Sequence, residues 1–180
     1  MSLKPKEDYI KIGFCTDNIN EILSLAESHY GLDTRREDGF HSSHKDTRAA
    51  LLQFNWALED RNEAEPIYLL YRDLLEPVLN KLKNKYNYSN FSTWKIVIAE
   101  LEPNGHIGAH KDTHLSFDLT HRCHWILKTN KDVVFKVGDS TLPTEAGAIY
   151  EINNTERDHE VFNGGSESRI HVIIDCYNNV

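Results

Sequence analysis

Short apolar runs separated by turn residues fill the C-terminal half of the chain and constrain its fold more than any other feature. Beyond residue 92, runs rich in β-branched and aromatic residues lie at 93–101, 123–129, 132–138, 147–152, 159–162 and 169–177. Glycine, proline and asparagine stand between them, as in Asn104-Gly105 and Gly164-Gly165. Because no helical pattern separates these strands, they predict a cupin-like double-stranded β-helix, or jelly roll.

The first half of the chain has a helical pattern. Apolar residues recur at helical spacing over 19–26, after Asp17 as a candidate cap and before Gly31 as a candidate stop. The polar stretch 33–48 is expected to be a loop, and a second helix is expected to begin near Pro66. We expect these helices to pack on one face of the sheet, which gives an α+β fold with a mainly β core.

Length and charge limit the number of domains and the class of partner. The 180 residues fit one domain, with 1–92 mainly helical and 93–178 forming the jelly-roll core. A formal net charge of -8 disfavours nucleic acid and anionic lipid as partners. The three cysteines show neither a disulfide pattern nor a zinc-binding one, and no stretch approaches the roughly 20 apolar residues of a membrane span. We therefore expect a soluble, cytoplasmic protein.

Histidines are concentrated in the last 75 residues, and three residues there have the chemistry of a metal site. His110 and Asp112 are two apart, so in an extended chain their side chains project from the same face. His159, at the start of another predicted strand, supplies a third group. Two histidines and one carboxylate on one face of an ion leave positions open for O2 and a chelating co-substrate, as in Fe(II) oxygenases. The alternative is that these are ordinary surface or core histidines, because H-x-D alone is a weak motif.

A buried cation is expected inside the same barrel. Arg169 stands ten residues after His159 in an otherwise apolar strand, where a charge is costly unless it is paired. Its guanidinium matches a carboxylate ligand, and the alternative is an internal ion pair with Asp175. Arg122 and His124 also share one strand face and can bind a second anionic group, with a structural role for His124 as the alternative. One dicarboxylic acid would then be held at both ends.

These segments, taken together, resemble the aspartyl/asparaginyl beta-hydroxylase family within the wider 2-oxoglutarate/Fe(II) dioxygenases. The similar blocks are E-P-N-G-H-I-G-A-H at 102–110, R-C-H at 122–124, and H-E-V-F-N with R-I-H-V-I-I-D within 159–175. The resemblance covers roughly residues 94 to 177. It implies a hydroxylase that uses Fe(II), 2-oxoglutarate and O2, acts on an amino acid or an aspartyl/asparaginyl-type peptide side chain, and releases succinate and CO2.

The resemblance also implies roles for individual residues. His110 and His159 match the iron ligands of the family. Arg169 matches the residue that binds one carboxylate of 2-oxoglutarate, and Arg122 and His124 match residues near the other carboxylate.

The chain departs from the family's pattern at two positions. The animal protein hydroxylases lack a carboxylate where Asp112 stands, whereas bacterial cis-proline hydroxylases possess H-x-D, so the metal site is most similar to theirs. A carboxylate there also favours hydroxylation over chlorination, because related halogenases leave this position to chloride. Ala99 aligns with a serine that assists co-substrate binding in the animal enzymes.

Substrate contacts are expected from the N-terminal half and from the loop between Asp112 and Arg122. A basic run can recognise a carboxylate, although such runs are more often solvated loops; it consists of Arg35, Arg36, His41, His44, Lys45 and Arg48. Phe54 and Trp56 can line a pocket or pack in the core. His106 or Glu160 can orient the metal ligands, with a solvated surface position as the alternative.

Two other classes of function fit part of this pattern. The same ligands on the same barrel can belong to a cupin-like isomerase or hydrolase that uses no 2-oxoglutarate. A binding module without a metal is the third reading. Arg169 is the residue that distinguishes the oxygenase from the other metal enzymes, because only a keto-diacid needs a distal cation.

Overall fold

The computed structural model describes residues 2–33, 45–55 and 64–179. Two antiparallel sheets face each other, and helices cover one of them. The helices in these ranges are α1 Ile19–Ala26, α2 Tyr68–Tyr86 and α3 Leu115–Asp118. The strands are β1 Tyr9–Phe14, β2 Thr47–Phe54, β3 Phe91–Leu101, β4 His106–His110, β5 His121–Lys128, β6 Val133–Val137, β7 Ser140–Leu142, β8 Ala148–Ile152, β9 His159–Asn163 and β10 Arg169–Asn178.

The order of the strands is that of a double-stranded β-helix, as predicted. The larger sheet runs β1-β8-β5-β10-β3-β2, and the smaller sheet runs β4-β9-β6-β7. Neighbouring strands come from distant parts of the chain, such as β5 between β8 and β10. Strands β3, β5, β6, β8, β9 and β10 coincide with the apolar runs of the sequence. The mainly β core is therefore confirmed.

The two faces of strand β10 differ in polarity, and the side chains on both are buried. Ile170, Val172 and Ile174 join the core cluster that includes residues of α1 and α2. The alternating residues, among them Arg169 and Asp175, are also buried but point to the other face. The space between the two sheets therefore contains charged side chains, which is where the site predicted from the sequence should lie.

Helix α2 covers the outer face of the larger sheet. Its buried side chains are Tyr71, Leu75, Val78 and Leu82, and this spacing places them on one stripe of the helix. Full burial of such side chains stabilises the fold by about 1.5–3 kcal/mol each. The helix ends at Asn87, whose left-handed backbone (φ 51°) stops the helical turn.

The prediction of a mainly helical first part missed two strands. Strands β1 and β2 form the two edges of the larger sheet, and the first two residues of β2 fall in the predicted loop. Leu51 and Leu52 point to opposite faces of β2 and are equally inaccessible, so this strand is buried on both faces. A strand of this kind lacks the apolar-polar alternation that identifies strands in a sequence. Strand β7 was missed because it has only three residues, and β4 because its sequence, H-I-G-A-H, contains a single β-branched residue.

Helix α1 begins differently from the prediction. Asn18, with φ 59°, occupies the cap position and makes no side-chain capping bond. Its amide instead donates to the Leu74 carbonyl oxygen (3.0 Å), which joins α1 to α2. Asp17, the predicted cap, accepts a hydrogen bond from the Cys15 thiol.

Among the residues described, none of the helices combines the length and apolar character that crossing a bilayer demands.

Candidate metal centre

The pairing of two strands brings His110 and His159 side by side. His110 ends β4, His159 begins β9, and the two are direct partners in the antiparallel register. Their ring centroids lie 4.2 Å apart. Two imidazoles 49 positions apart in sequence are thus neighbours at the same end of the smaller sheet.

Asp112 completes a cluster of three candidate ligands. It follows β4 by two residues, and its main-chain N–H donates to the Asn154 carbonyl oxygen (2.9 Å). One ligand atom from each of His110, Asp112 and His159 lies within 4.8 Å of the others. Because protein ligands bind first-row metals at about 2.0–2.2 Å, small side-chain movements would close this set on one ion. The structure brings the three residues together, and their role as ligands stays a prediction.

Both histidines present a form suited to metal binding. Nδ1 of His110 donates to the Gly108 carbonyl oxygen (2.8 Å), so in the neutral ring the lone pair is on Nε2. Burial lowers the pKa of His159 to about 4, although the Asp112 charge opposes this shift. His159 is therefore neutral at pH 7, and neutral imidazole is the ligating form.

Asp112 is held as a charged carboxylate by two donors on the same oxygen. Arg122 Nη1 lies 2.5 Å and Asn154 Nδ2 lies 2.6 Å from its Oδ2. Burial alone would raise the pKa of Asp112, but the charge of Arg122, the charge that His159 gains when it is protonated in acid, and the hydrogen bond from Asn154 hold it well below its usual range. Asp112 therefore stays ionised, as a metal ligand must.

Arg122 is paired with both Asp175 and Asp112, and its predicted contact with a co-substrate stays a prediction. Asp175 accepts from Nε (2.8 Å) and Nη2 (2.6 Å) of Arg122, so it is not the internal partner suggested for Arg169. Since its third contact is with Asp112, Arg122 positions a candidate ligand, and only part of its donor set remains for a co-substrate. The pair forms because the two residues are directly opposite each other on β5 and β10.

A polar row lies buried between the sheets and consists of Arg169, His171 and His124. Arg169 Nη2 donates to His171 Nδ1 (2.7 Å), and the Nδ1 atoms of His171 and His124 lie 3.5 Å apart. The ring of Phe135 lies 5.3 Å from the Arg169 guanidinium and 5.2 Å from the His124 ring. Within the described ranges, the buried Nε2 atoms of both histidines have no hydrogen-bond partner. A polar ligand between the sheets fits these groups.

Two residues proposed to orient the ligands do not contact them. His106 Nε2 lies 2.7 Å from Glu160 Oε1, and both side chains are partly exposed. Glu160 follows His159 in β9, so its side chain points to the opposite face of the sheet. Asn154, which has the role expected of them, follows β8 and was not predicted, because no motif marks it.

A cavity of about 530 Å³ opens beside Asp112. Lys111, Thr113 and Leu115 line it, so the segment after Asp112 contributes to the cavity, and its contact with a substrate stays a prediction. Ser2 also lines the cavity. The next residue is fixed in position because the Leu3 N–H donates to the Asp118 carbonyl oxygen (2.8 Å). The pocket is large enough for an amino acid or a short peptide segment.

The structure describes only part of the basic run and its aromatic neighbours, so their contact with a substrate stays a prediction. Arg35, Arg36, His41, His44 and Trp56 lie outside the described residues. Lys45 is exposed, whereas the Arg48 guanidinium is bound to Glu100 (2.5 Å). Phe54 packs in a core cluster with residues of β2 and β3. The described members of this group thus have structural contacts or are solvated.

The model of one protein family matches the chain. It is the model of the aspartyl/asparaginyl beta-hydroxylases, and it covers residues 75–179. No curated protein sequence matches the chain.

Several solved structures share the fold. An oxidoreductase of the 2OG-Fe(II) oxygenase family from Burkholderia pseudomallei has a TM-score of 0.63 at 11% identity, over 94% of this chain and 84% of that one. A prolyl hydroxylase from Trichoplax adhaerens, in complex with a peptide of hypoxia inducible factor, has a TM-score of 0.60 at 10% identity, over 96% and 84%. A viral collagen prolyl hydroxylase from Paramecium Bursaria Chlorella virus-1, in its 2OG complex, has a TM-score of 0.59 at 11% identity, over 97% and 98%. At these identities the likeness establishes the fold alone.

Proposed function

The chain belongs to the aspartyl/asparaginyl beta-hydroxylase family, and from this premise we propose that it hydroxylates an amino acid or a peptide side chain in a reaction that depends on Fe(II), 2-oxoglutarate and O2 and releases succinate and CO2. The observation that carries the proposal is the convergence of His110, Asp112 and His159 at one end of the barrel. Two imidazoles and one carboxylate are the ligand set that such oxygenases use.

The three residues fit Fe(II) in the chemistry of their donor groups, and one atom of each lies within 4.8 Å of the others. A set of three protein ligands would leave the remaining coordination positions of the ion to a chelating keto acid and to O2. Bound there, Fe(II) would supply the activation of O2 that carbon hydroxylation requires. Arg122 and Asn154 keep the carboxylate of Asp112 ionised and oriented, so little reorganisation precedes metal binding.

Arg169 supports 2-oxoglutarate as the co-substrate. It is 2% exposed, and its guanidinium lies in the same interior as the candidate ligands. A keto acid on the metal would direct its distal carboxylate along the row formed by His124, His171 and Arg169. The alternative metal enzymes, an isomerase or hydrolase, have no need of a buried cation for a distal carboxylate.

The cavity beside Asp112 is the proposed substrate site. It carries both signs of charge, with Lys111 on one wall and Asp118 and Glu156 on others. Such a pocket suits a substrate with an ammonium and a carboxylate, or a peptide segment with polar side chains. The peptide-bound prolyl hydroxylase among the similar structures supports a peptide as one of the candidate substrates.

The metal assignment can be tested without knowing the substrate. Addition of Fe(II) and 2-oxoglutarate under argon should produce the weak visible charge-transfer band of the chelate. Asp112→Ala and His159→Ala should abolish both this band and the slow succinate formation that occurs without substrate.

The matched control is His106→Ala, which removes an exposed histidine that contacts Glu160. It should keep the band and the succinate formation. Retention of the band in either ligand variant would contradict the proposed metal site. A screen of succinate release across amino acids and peptides would then identify the substrate.

A further inference from the structure

His171 lies where the co-substrate pocket of this chain lacks a donor. It is fully buried on β10, two residues from Arg169, and its register partner on β3 is Ala99. The animal enzymes that the chain resembles carry a serine aligned with Ala99, and alanine offers no hydrogen bond. His171 is thus adjacent to both the predicted carboxylate-binding cation and the missing hydroxyl.

The contact with Arg169 determines which ring nitrogen of His171 carries hydrogen. A guanidinium can only donate, so Nδ1 of His171 accepts the bond of 2.7 Å from Arg169 Nη2. Burial, followed by the charge of Arg169, lowers the pKa of His171 well below its ordinary value, so the ring is neutral. The hydrogen of a neutral ring that accepts at Nδ1 is on Nε2.

This Nε2–H group has no acceptor in the part of the chain that the structure describes. A buried donor without an acceptor destabilises a fold, and such groups are kept where a ligand satisfies them. The surroundings of this Nε2–H group indicate an anionic acceptor. The adjacent Arg169 cation favours an anion, and the neighbouring His124 and Phe135 rings bring no negative charge.

We propose that His171 is a second anchor for the distal carboxylate of 2-oxoglutarate, donating from Nε2 beside Arg169 and replacing the hydroxyl absent at position 99. This inference rests on the proposed function. It makes His171 a determinant of co-substrate specificity, because a keto acid without a distal carboxylate would offer no acceptor to the Nε2–H group of His171.

The test compares two ligands on anaerobic protein loaded with Mn(II), which supports binding without turnover. The ligands are 2-oxoglutarate and 2-oxopentanoate, in which a methyl group replaces the distal carboxylate. Wild-type protein should prefer 2-oxoglutarate in calorimetric titration. His171→Asn keeps an acceptor for Arg169 and removes the Nε2 donor, so it should weaken 2-oxoglutarate binding by about 10- to 100-fold and leave 2-oxopentanoate binding within about threefold.

His171→Gln is the matched control, because its amide can place a donor near the position of Nε2. It should restore most of the preference for 2-oxoglutarate. In the wild-type protein, the Nε2–H resonance of His171 in the metal-free or Zn(II)-loaded form should shift downfield with 2-oxoglutarate and stay in place with 2-oxopentanoate. This measurement keeps the inference testable if the variants fold poorly.

The outcomes separate the two proposals. A wild-type protein with no preference for 2-oxoglutarate would overturn the proposed function and this inference with it. A wild-type preference that persists unchanged in His171→Asn, or an Nε2–H resonance that 2-oxoglutarate leaves in place, would overturn the role of His171 alone.

Discussion

At the scale of single residues, the environment of Asp112 explains how a candidate ligand is prepared before any metal binds. Arg122 bridges Asp112 and Asp175, and all three side chains are largely buried. Removing one partner of such a buried cluster leaves an uncompensated charge, which typically costs about 3–5 kcal/mol. Asn154 adds a neutral donor and a main-chain acceptor to the same residue. Together they fix the carboxylate in one orientation.

Asn154 is accordingly expected to support metal binding without being a ligand. Asn154→Ala should lower the affinity for Fe(II) or Mn(II) by about 10- to 100-fold, because the carboxylate of Asp112 loses one of its two donors. Titration against a chelator would measure the change. Asn179→Ala, at an exposed position after β10, is the control. Equal metal affinities in the two variants would show that Arg122 alone orients Asp112.

At the scale of secondary structure, a polar network outside the barrel joins helix α2 to the strands that carry the site. The Tyr86 hydroxyl donates to Glu151 Oε2 (2.8 Å), and Glu151 Oε1 lies 2.7 Å from His121 Nδ1. The Tyr86 and His121 rings stack with centroids 3.8 Å apart. His121 precedes Arg122 in β5, so the network holds the strand whose next side chain binds Asp112.

Tyr86→Phe should therefore destabilise the protein while leaving metal affinity near that of the wild type. Loss of the hydroxyl leaves a buried Glu151 oxygen without its donor, a change that costs about 1–3 kcal/mol. Urea denaturation would measure it. Tyr68→Phe, at the half-buried start of the same helix, should change the free energy of unfolding by less than about 0.5 kcal/mol. Equal stability of the two variants would argue against the network.

At the scale of the whole molecule, burying histidines between the sheets links folding to pH. Burial is the largest cause of the lowered pKa of His124, His159 and His171, and the value for His159 is about 4. In the unfolded chain these rings take up protons near pH 6.5. Because the unfolded state then binds more protons than the folded state, stability is complete above pH 6.5 and is lost as the pH falls towards 4.

This linkage predicts a difference between the wild type and His124→Gln, which removes one of the buried rings. As the pH falls below about 6.5, the metal-free wild type should lose up to about 1.4 kcal/mol of stability per pH unit relative to the variant. The other titrating groups affect the stability of both proteins in the same way, so their contribution cancels in this comparison. Denaturation between pH 8 and pH 5 would measure it, and parallel pH profiles would show that His124 is protonated equally in both states.

The sequence by itself determined the elements whose pattern is local. The run around β10 is rich in β-branched residues, and the two-residue spacing of His110 and Asp112 is a local property of extended chain, so both could be predicted without coordinates. The helix α2 was predictable for the same reason, since its apolar stripe depends only on residues within one segment. The family resemblance came from the same contiguous blocks.

Only the tertiary structure decided which side chains meet across strands. His159 lies beside His110 through the β4–β9 register, Arg122 meets Asp175 through the β5–β10 register, and His171 faces Ala99 through the β3–β10 register. These registers arise from the packing of both sheets and the helices, and a shift of one residue would turn every side chain to the opposite face. Contacts of this kind depend on the fold as a whole, which no single segment encodes.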